Sequence, residues 1–171
     1  ASGRGTPVAP SIPEPPRGRS WGRGAGWQEQ VRELAQKSDV AICGPNSEGF
    51  ANIMASLCPT FSPAVEQPEL PLRSPWRNTG RIGVVAQSGG MGFSFFDRGR
   101  PKELPFSYIV TTGNEACLDA FQFVDYMLDD AQTDIFLMFL EDIKNPARFV
   151  AVAQRALRAG KPIVVTKIGH S

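Results

Sequence analysis

The stretch that decides the fold is GRIGVVAQSGGMGFSFFDRG, residues 80–99. An apolar run from Ile82 to Val85 halts at Gln87-Ser88-Gly89-Gly90, and a helix-compatible segment follows at once. Three chemistries suit a strand that turns into a helix through Ser-Gly-Gly. Ser88 can be a nucleophile, part of an anion-binding turn, or a helix cap.

The same alternation continues downstream. Strands are predicted at 82–87, 106–112 (FSYIVTT), 134–141 (DIFLMFLE) and 162–168 (PIVVTKI), with helices near 89–98, 117–130 and 146–159 between them. The last helix has the clearest boundaries. Asn145 is its N-cap, Pro146 its first helical residue and Gly160 its stop, with Phe149, Val150, Ala153, Ala156 and Leu157 as an apolar face. The strands are continuous apolar runs, as expected where both faces of a parallel sheet are covered. Strand and helix alternating within about 90 residues predict an α/β, doubly wound parallel sheet, whose strand C-termini share one functional edge.

Upstream, VAIC (40–43) reads as a short buried strand ending at Gly44-Pro45-Asn46. WQEQVRELAQKSD before it sets Trp27, Val31, Leu34 and Ala35 on one helical face. Prolines 63, 68, 71 and 75 mark 51–79 as an irregular linker. Residues 1–26 mix five prolines with glycines and arginines and carry no hydrophobic period, so they read as a disordered tail.

Composition bounds the function. A formal net charge of +1 gives no reason to expect nucleic acid or an anionic membrane as partner. No apolar run is long enough for a membrane span. Cys43, Cys58 and Cys117 are odd in number and unclustered, which argues against a disulfide framework or a metal site and points to a reducing, cytoplasmic setting. The chain begins at Ala1, as a processed product or a piece of something longer would.

The segments expected at the functional edge are Gln87–Gly90, Thr112–Glu115, Glu141-Asp142 and Gly169–Ser171, with Gly44–Ser47 beside them. AQSGG resembles a nucleophile elbow, and Ser88, Asp119 or Asp142, and His170 follow hydrolase order. A serine hydrolase is therefore one alternative, although His170 is the penultimate residue. The two glycines equally suit a phosphate at the helix start, and a plain cap accounts for Ser88 as well. Glu141 closes a very apolar strand and is expected to be partly desolvated, able to orient a histidine or simply to bond loop amides. Asn114 and Glu115 read as a turn and helix start.

Taken together, GPNSEGF (44–50), RIGVVAQSGGMG (81–92), VTTGNEACLD (110–119), FLMFLEDIK (136–144) and KPIVVTKIGHS (161–171) resemble NDP-forming acyl-CoA synthetases. That family includes the ADP-forming acetate–CoA ligases and the succinyl-CoA synthetase α subunit. The resemblance implies that 80–171 is a flavodoxin-like, succinyl-CoA ligase-like domain. Residues 27–50 would be the remnant of a preceding Rossmann-like CoA-binding domain. The implied reaction joins a carboxylic acid to CoA at the expense of ATP, through acyl phosphate and phosphohistidine. An ATP-grasp domain or β subunit would hold ATP or ADP with Mg. Position by position, Ser88, Gly89 and Gly90 match the helix start that receives the phosphate, and Glu141 the glutamate that orients the histidine. Gly44, Pro45 and Asn46 match the edge of the CoA-binding domain, and Gly113 and Asn114 a loop beside it.

Three departures accompany the match. The family's phosphorylated histidine would follow Ser171, and His170 falls where relatives often carry arginine. Ser47 replaces a frequent cysteine. Residues 1–20 do not resemble a CoA-binding domain, and its glycine fingerprint is missing. The chain alone is thus expected to be inactive. A non-catalytic CoA- or protein-binding module of the same fold is the other alternative.

Overall fold

The computed structural model describes residues 22–66 and 81–169. Residues 1–21 of the tail assigned to 1–26, most of the linker, and His170 with Ser171 lie outside the described residues, whereas 22–26, read as part of that disordered tail, form the first turns of a helix that runs to Ser38. Among the described residues five strands form one sheet: β1 (Phe50–Asn52), β2 (Ile82–Ala86), β3 (Phe106–Thr111), β4 (Ile135–Leu140) and β5 (Ile163–Lys167). Four helices accompany them: α1 (Gly22–Ser38), α2 (Gly89–Gly99), α3 (Ala120–Leu128) and α4 (Pro146–Ala159). The strand order is β1-β3-β2-β4-β5, with β1 antiparallel to β3 and the other pairings parallel.

The order of the four parallel strands explains where a site can form. From β2 the chain crosses to β3 on one side, then returns through α3 to β4 on the other. The strand order therefore reverses between β2 and β4. Among the described residues no crossover helix fills the space at the strand ends above that point, so a crevice opens there.

Each face of the sheet has its own core. On one, Phe93 and Phe96 of α2 pack on Val84, Phe106 and Ile109, with Ala51 and Ile53 from the β1 region. Phe96 and Phe106 meet edge to face with ring centroids 5.4 Å apart, a favoured aromatic geometry. On the other, α3 and α4 cover Val85, Met138 and Leu140 with Phe121, Val124, Met127 and Val152. Gly92 lets α2 lie close on the sheet, because a Cβ there would stand 2.7 Å from Thr111 Cγ2.

Five other local expectations need correction. VAIC is not a strand. Its backbone instead serves the loop after β3, with Ile42 O and Gly44 O accepting from Leu118 N and Ala116 N at 3.1 and 2.8 Å. Within the presumed linker, Phe50–Asn52 forms the antiparallel edge strand, since Gly49 and Asn52 find partners in Thr60 and Leu57 and close a small hairpin. The core-facing stripe of α4 is Val152 and Ala156, both buried, with Phe149 half-buried beside them. Val150 and Leu157 face solvent because α3 covers only one side of the helix. Finally, β5 is not covered on both faces: it is an edge strand, and Val164 is 54% exposed. Helix α3 starts at Ala120 rather than 117, because Asp119 caps it in a reciprocal box with Gln122.

Candidate functional site

The edge segments singled out in the sequence do converge. A polar cleft of about 350 Å³ at the switch point is lined by Asn46, Ser88, Gly89, Gly90, Gly113, Asn114 and Glu141, with Glu48 and Gln87 beside them. Gly169 reaches the same edge, where a Cβ added to it would stand 3.7 Å from Glu141 O.

Ser88 is the N-cap of α2, and its Oγ accepts from Met91 N at 3.4 Å. Helix geometry leaves the N–H groups of Gly89 and Gly90 without intrahelical acceptors, at the positive end of the helix dipole. A Cβ on Gly90 would meet nothing within 4 Å, so that side of the helix start is open. The Ser88 backbone, φ −86° and ψ 123°, is ordinary extended chain. It lacks the strained turn that a nucleophile elbow uses to lift its serine. Asp119 is committed to capping α3 and to an ion pair with Arg148, and Asp142 Oδ1 accepts from Ile143 N. No described residue completes a hydrolase triad around Ser88.

The loop Gly44–Ser47 forms one wall through its backbone. Asn114 N and Ala116 N donate to Pro45 O and Gly44 O at 2.8 Å each, across a cis Gly44–Pro45 peptide. Gly113 allows this approach. Its φ is +59°, and a Cβ there would stand 2.2 Å from Pro45 O and 2.6 Å from Asn46 C. Helix α1 reaches the same loop, with Gln28 Nε2 donating to Asn114 O and Arg32 Nε to Ala116 O. Of the apolar residues expected on one face of α1, Ala35 is buried whereas Leu34 is 60% exposed.

Glu141 departs from expectation. β4 ends at Leu140 and the chain turns outward, so the side chain of Glu141 is exposed rather than partly desolvated. The buried carboxylate at this edge is Glu115, 5% exposed. Burial raises its pKa above the ordinary glutamate range, opposed by bonds from Thr112, the Ala120 amide and Gln87 and by the charge of Lys144. Gln87 is buried alongside it. Sequence reasoning placed Glu115 in a turn. The available signal was Gln87 itself, an amide at the end of an otherwise apolar strand, which requires a buried polar partner.

Glu48 was also missed. A Cβ on Gly89 would lie 2.8 Å from Glu48 Cβ and 3.0 Å from its Oε2, which places a carboxylate beside the start of α2. Thr111 Oγ1 accepts from Glu48 N, and Thr60 Oγ1 donates to Glu48 O, at 2.9 and 2.6 Å, fixing this position. Among the described residues no group of three or more His, Cys, Asp or Glu could hold a metal ion, and no helix is long and apolar enough to cross a membrane.

Residues 79–171 match the succinyl-CoA ligase like flavodoxin domain. The chain is 32% identical over 144 residues to a trans-feruloyl-CoA synthase from an unknown prokaryotic organism, covering 84% of this chain and 20% of that protein. It is 30% identical over 148 residues to the ADP-forming acetate–CoA ligase I of Archaeoglobus fulgidus, covering 86% and 20%. The chain thus spans about a fifth of the length of these relatives. Among solved structures, the Ca. Korarchaeum cryptofilum dinucleotide-forming acetyl-coenzyme A synthetase 1, in complex with phosphate and ADP, superposes with a TM-score of 0.71 at 28% identity. The match covers 85% of this chain and 29% of that one. A family match over more than half the chain, on a sheet with the flavodoxin-like strand order, fixes the assignment: this protein belongs to the succinyl-CoA ligase-like flavodoxin domain family.

Proposed function

We propose that the chain is part of an ADP-forming acyl-CoA ligase and that its cleft receives a phosphohistidine supplied from outside it. The observation that carries this reading is the placement of the open α2 start and Glu141 on two walls of one cleft at the switch point. The phosphoryl oxygens would accept from the Gly89 and Gly90 N–H groups. The Ser88 hydroxyl accepts from Met91 and keeps its own proton free to donate to the same oxygens. Glu141 would accept from the ring N–H of the incoming imidazole and so set its orientation. Transfer breaks the N–P bond and forms a P–O bond to an acyl carboxylate, or runs in reverse. The helix start stabilises charge on the phosphoryl oxygens in both directions.

In this reading residues 27–50 are the end of a CoA-binding domain, and the Asn46–Asn114 wall faces the CoA and acyl substrate. CoA supplies the thiol that becomes the thioester. ATP or ADP with Mg belongs to an ATP-grasp domain or partner subunit.

Titration of ¹⁵N-labelled protein with N-phosphoimidazole tests the site. The largest amide shifts are expected at Gly89, Gly90 and Met91, and Glu141→Gln should weaken binding about tenfold, or roughly 1.4 kcal/mol. Shifts confined to other surfaces would contradict the reading.

Glu48 adds a second expectation. Its carboxylate stands beside the helix start and opposes a dianion there. Glu48→Gln should therefore raise the affinity for inorganic phosphate about fivefold, since a charge at a helix end is worth up to about 1 kcal/mol. The gain should shrink at high salt.

A further inference from the structure

Gln87 occupies the point where two parallel strands part. Ala86 pairs with Phe139, and Gln87 N donates to Phe139 O at 2.9 Å. The next rung of a parallel ladder would run from Glu141 N–H to the Gln87 carbonyl. Instead, the Glu141 N–H is accepted by the Gln87 side chain, Oε1, at 2.6 Å. The same oxygen accepts from Asp142 N at 2.9 Å, and Gln87 Nε2 donates to Asp142 O at 2.9 Å. One side-chain amide thereby replaces a backbone rung and grips the next peptide, so β2 and β4 can separate without freeing the turn.

The second Nε2 proton goes to Glu115 Oε2 at 3.0 Å. The other Glu115 oxygen, Oε1, accepts from Thr112 Oγ1 at 2.8 Å and from Ala120 N, at the start of α3, at 2.9 Å. A carboxylate only accepts hydrogen bonds, so it selects the amide face that donates. A flipped Gln87 would set Nε2 against two N–H donors and Oε1 against a carboxylate. Every bonding site of the Gln87 amide is used, and one orientation satisfies them all.

We infer that Gln87 is a positioning residue: its side-chain amide sets the 141–142 turn, and with it the Glu141 carboxylate, while Glu115 fixes which way that amide faces. This rests on the reading of Glu141 as the group that meets the incoming imidazole. Glu141 is exposed and its side chain has no partner in the network, so its aim depends on its backbone. The geometry routes that dependence from the N-terminus of α3 through Glu115 and Gln87 to the cleft.

Amide hydrogen exchange in the full 171-residue chain, combined with ligand affinity, tests this. In Gln87→Leu, exchange at Glu141 and Asp142 should rise at least about tenfold, while the Val84–Ala86 ladder amides stay within about twofold of wild type. Affinity for N-phosphoimidazole should fall about tenfold, and that for inorganic phosphate, which needs only the helix start, should not change. The swap Gln87→Glu with Glu115→Gln restores acceptors for the Glu141 and Asp142 N–H groups and a donor between the two side chains, but leaves Asp142 O without its Nε2 donor. It should recover the protection at Glu141 N that Glu115→Gln alone loses. Unchanged exchange at 141 and 142 in Gln87→Leu would overturn the inference. If Gln87→Leu does not fold, the swap decides at Glu141 N, and failure to recover protection there would overturn it equally. A wild-type chain that binds neither ligand would remove the phosphohistidine reading, and the exchange data would still decide whether Gln87 holds the turn.

Discussion

Gly113→Ala is expected to lower the stability of the fold by about 3 kcal/mol and to disable the cleft. Two penalties combine. An alanine held at φ +59° pays about 1 kcal/mol for the left-handed conformation. Its Cβ would also meet Pro45 O at 2.2 Å and Asn46 C at 2.6 Å, which are backbone atoms that cannot rotate away. Relieving the overlap means moving the 44–46 loop off the 113–116 loop and breaking the bonds from Asn114 N and Ala116 N, with strain of about 1–3 kcal/mol. Thermal unfolding should show a midpoint lower by roughly 6–12 °C for a chain of this size. Phosphate affinity should fall little, because α2 is untouched. Binding that depends on the Asn46–Asn114 wall should be lost. A variant of wild-type stability would mean that the two loops do not pack in this register.

Glu115→Gln is the second large expected effect, and its origin is bonding pattern rather than size. The new carbonyl can keep the Thr112 and Ala120 bonds, but its amide then points at Gln87 Nε2, donor against donor. Turning Gln87 over relieves that clash by exposing Glu141 N and Asp142 N to a second donor. Either way buried groups lose partners, at about 1–3 kcal/mol. The pH dependence has a definite sign. The folded-state pKa of Glu115 is raised by burial above its ordinary value of 4.5. Its contribution to stability is therefore fully present below that value and lost as pH rises through the raised one. The advantage of wild type over Glu115→Gln should thus widen as pH is lowered from 7 toward 4.5. Denaturant unfolding of both proteins at several pH values reads this directly. An advantage that narrows on acidification would mean that Glu115 is stabilised chiefly as the anion.

What was legible in the sequence follows from where the information is local. The Ser88 and Asn145 caps, Pro146 and Gly160 set helix ends through contacts within a few residues, so α2 and α4 lie where the pattern puts them. The continuous apolar runs likewise yield the parallel strands and the shared edge. Errors arise where distant residues decide. VAIC is apolar and short, but its backbone partners are loop residues more than seventy positions away. Phe50–Asn52 sits in a proline-rich context and becomes a strand only because the β3 edge is available. Glu141 and Glu115 exchange their expected environments for the same reason. The strand-end position of Glu141 suggests burial, yet the chain leaves the sheet there, while Glu115 is folded inward by a positive φ and the α3 N-terminus. The match to acyl-CoA ligase motifs identified the family and named several residues that line the cleft, but gave no sign of the Gln87–Glu115 network or of Glu48 beside Gly89.

Replacing the matching segment of the Archaeoglobus fulgidus ADP-forming acetate–CoA ligase by residues 81–169 of this chain, then measuring ATP-dependent thioester formation, tests the central claim most directly. The account predicts that the graft turns over and that Glu141→Gln in the graft lowers the rate at least about a hundredfold, the scale of losing a positioned charged partner. A folded graft whose turnover is indifferent to Glu141 would contradict it.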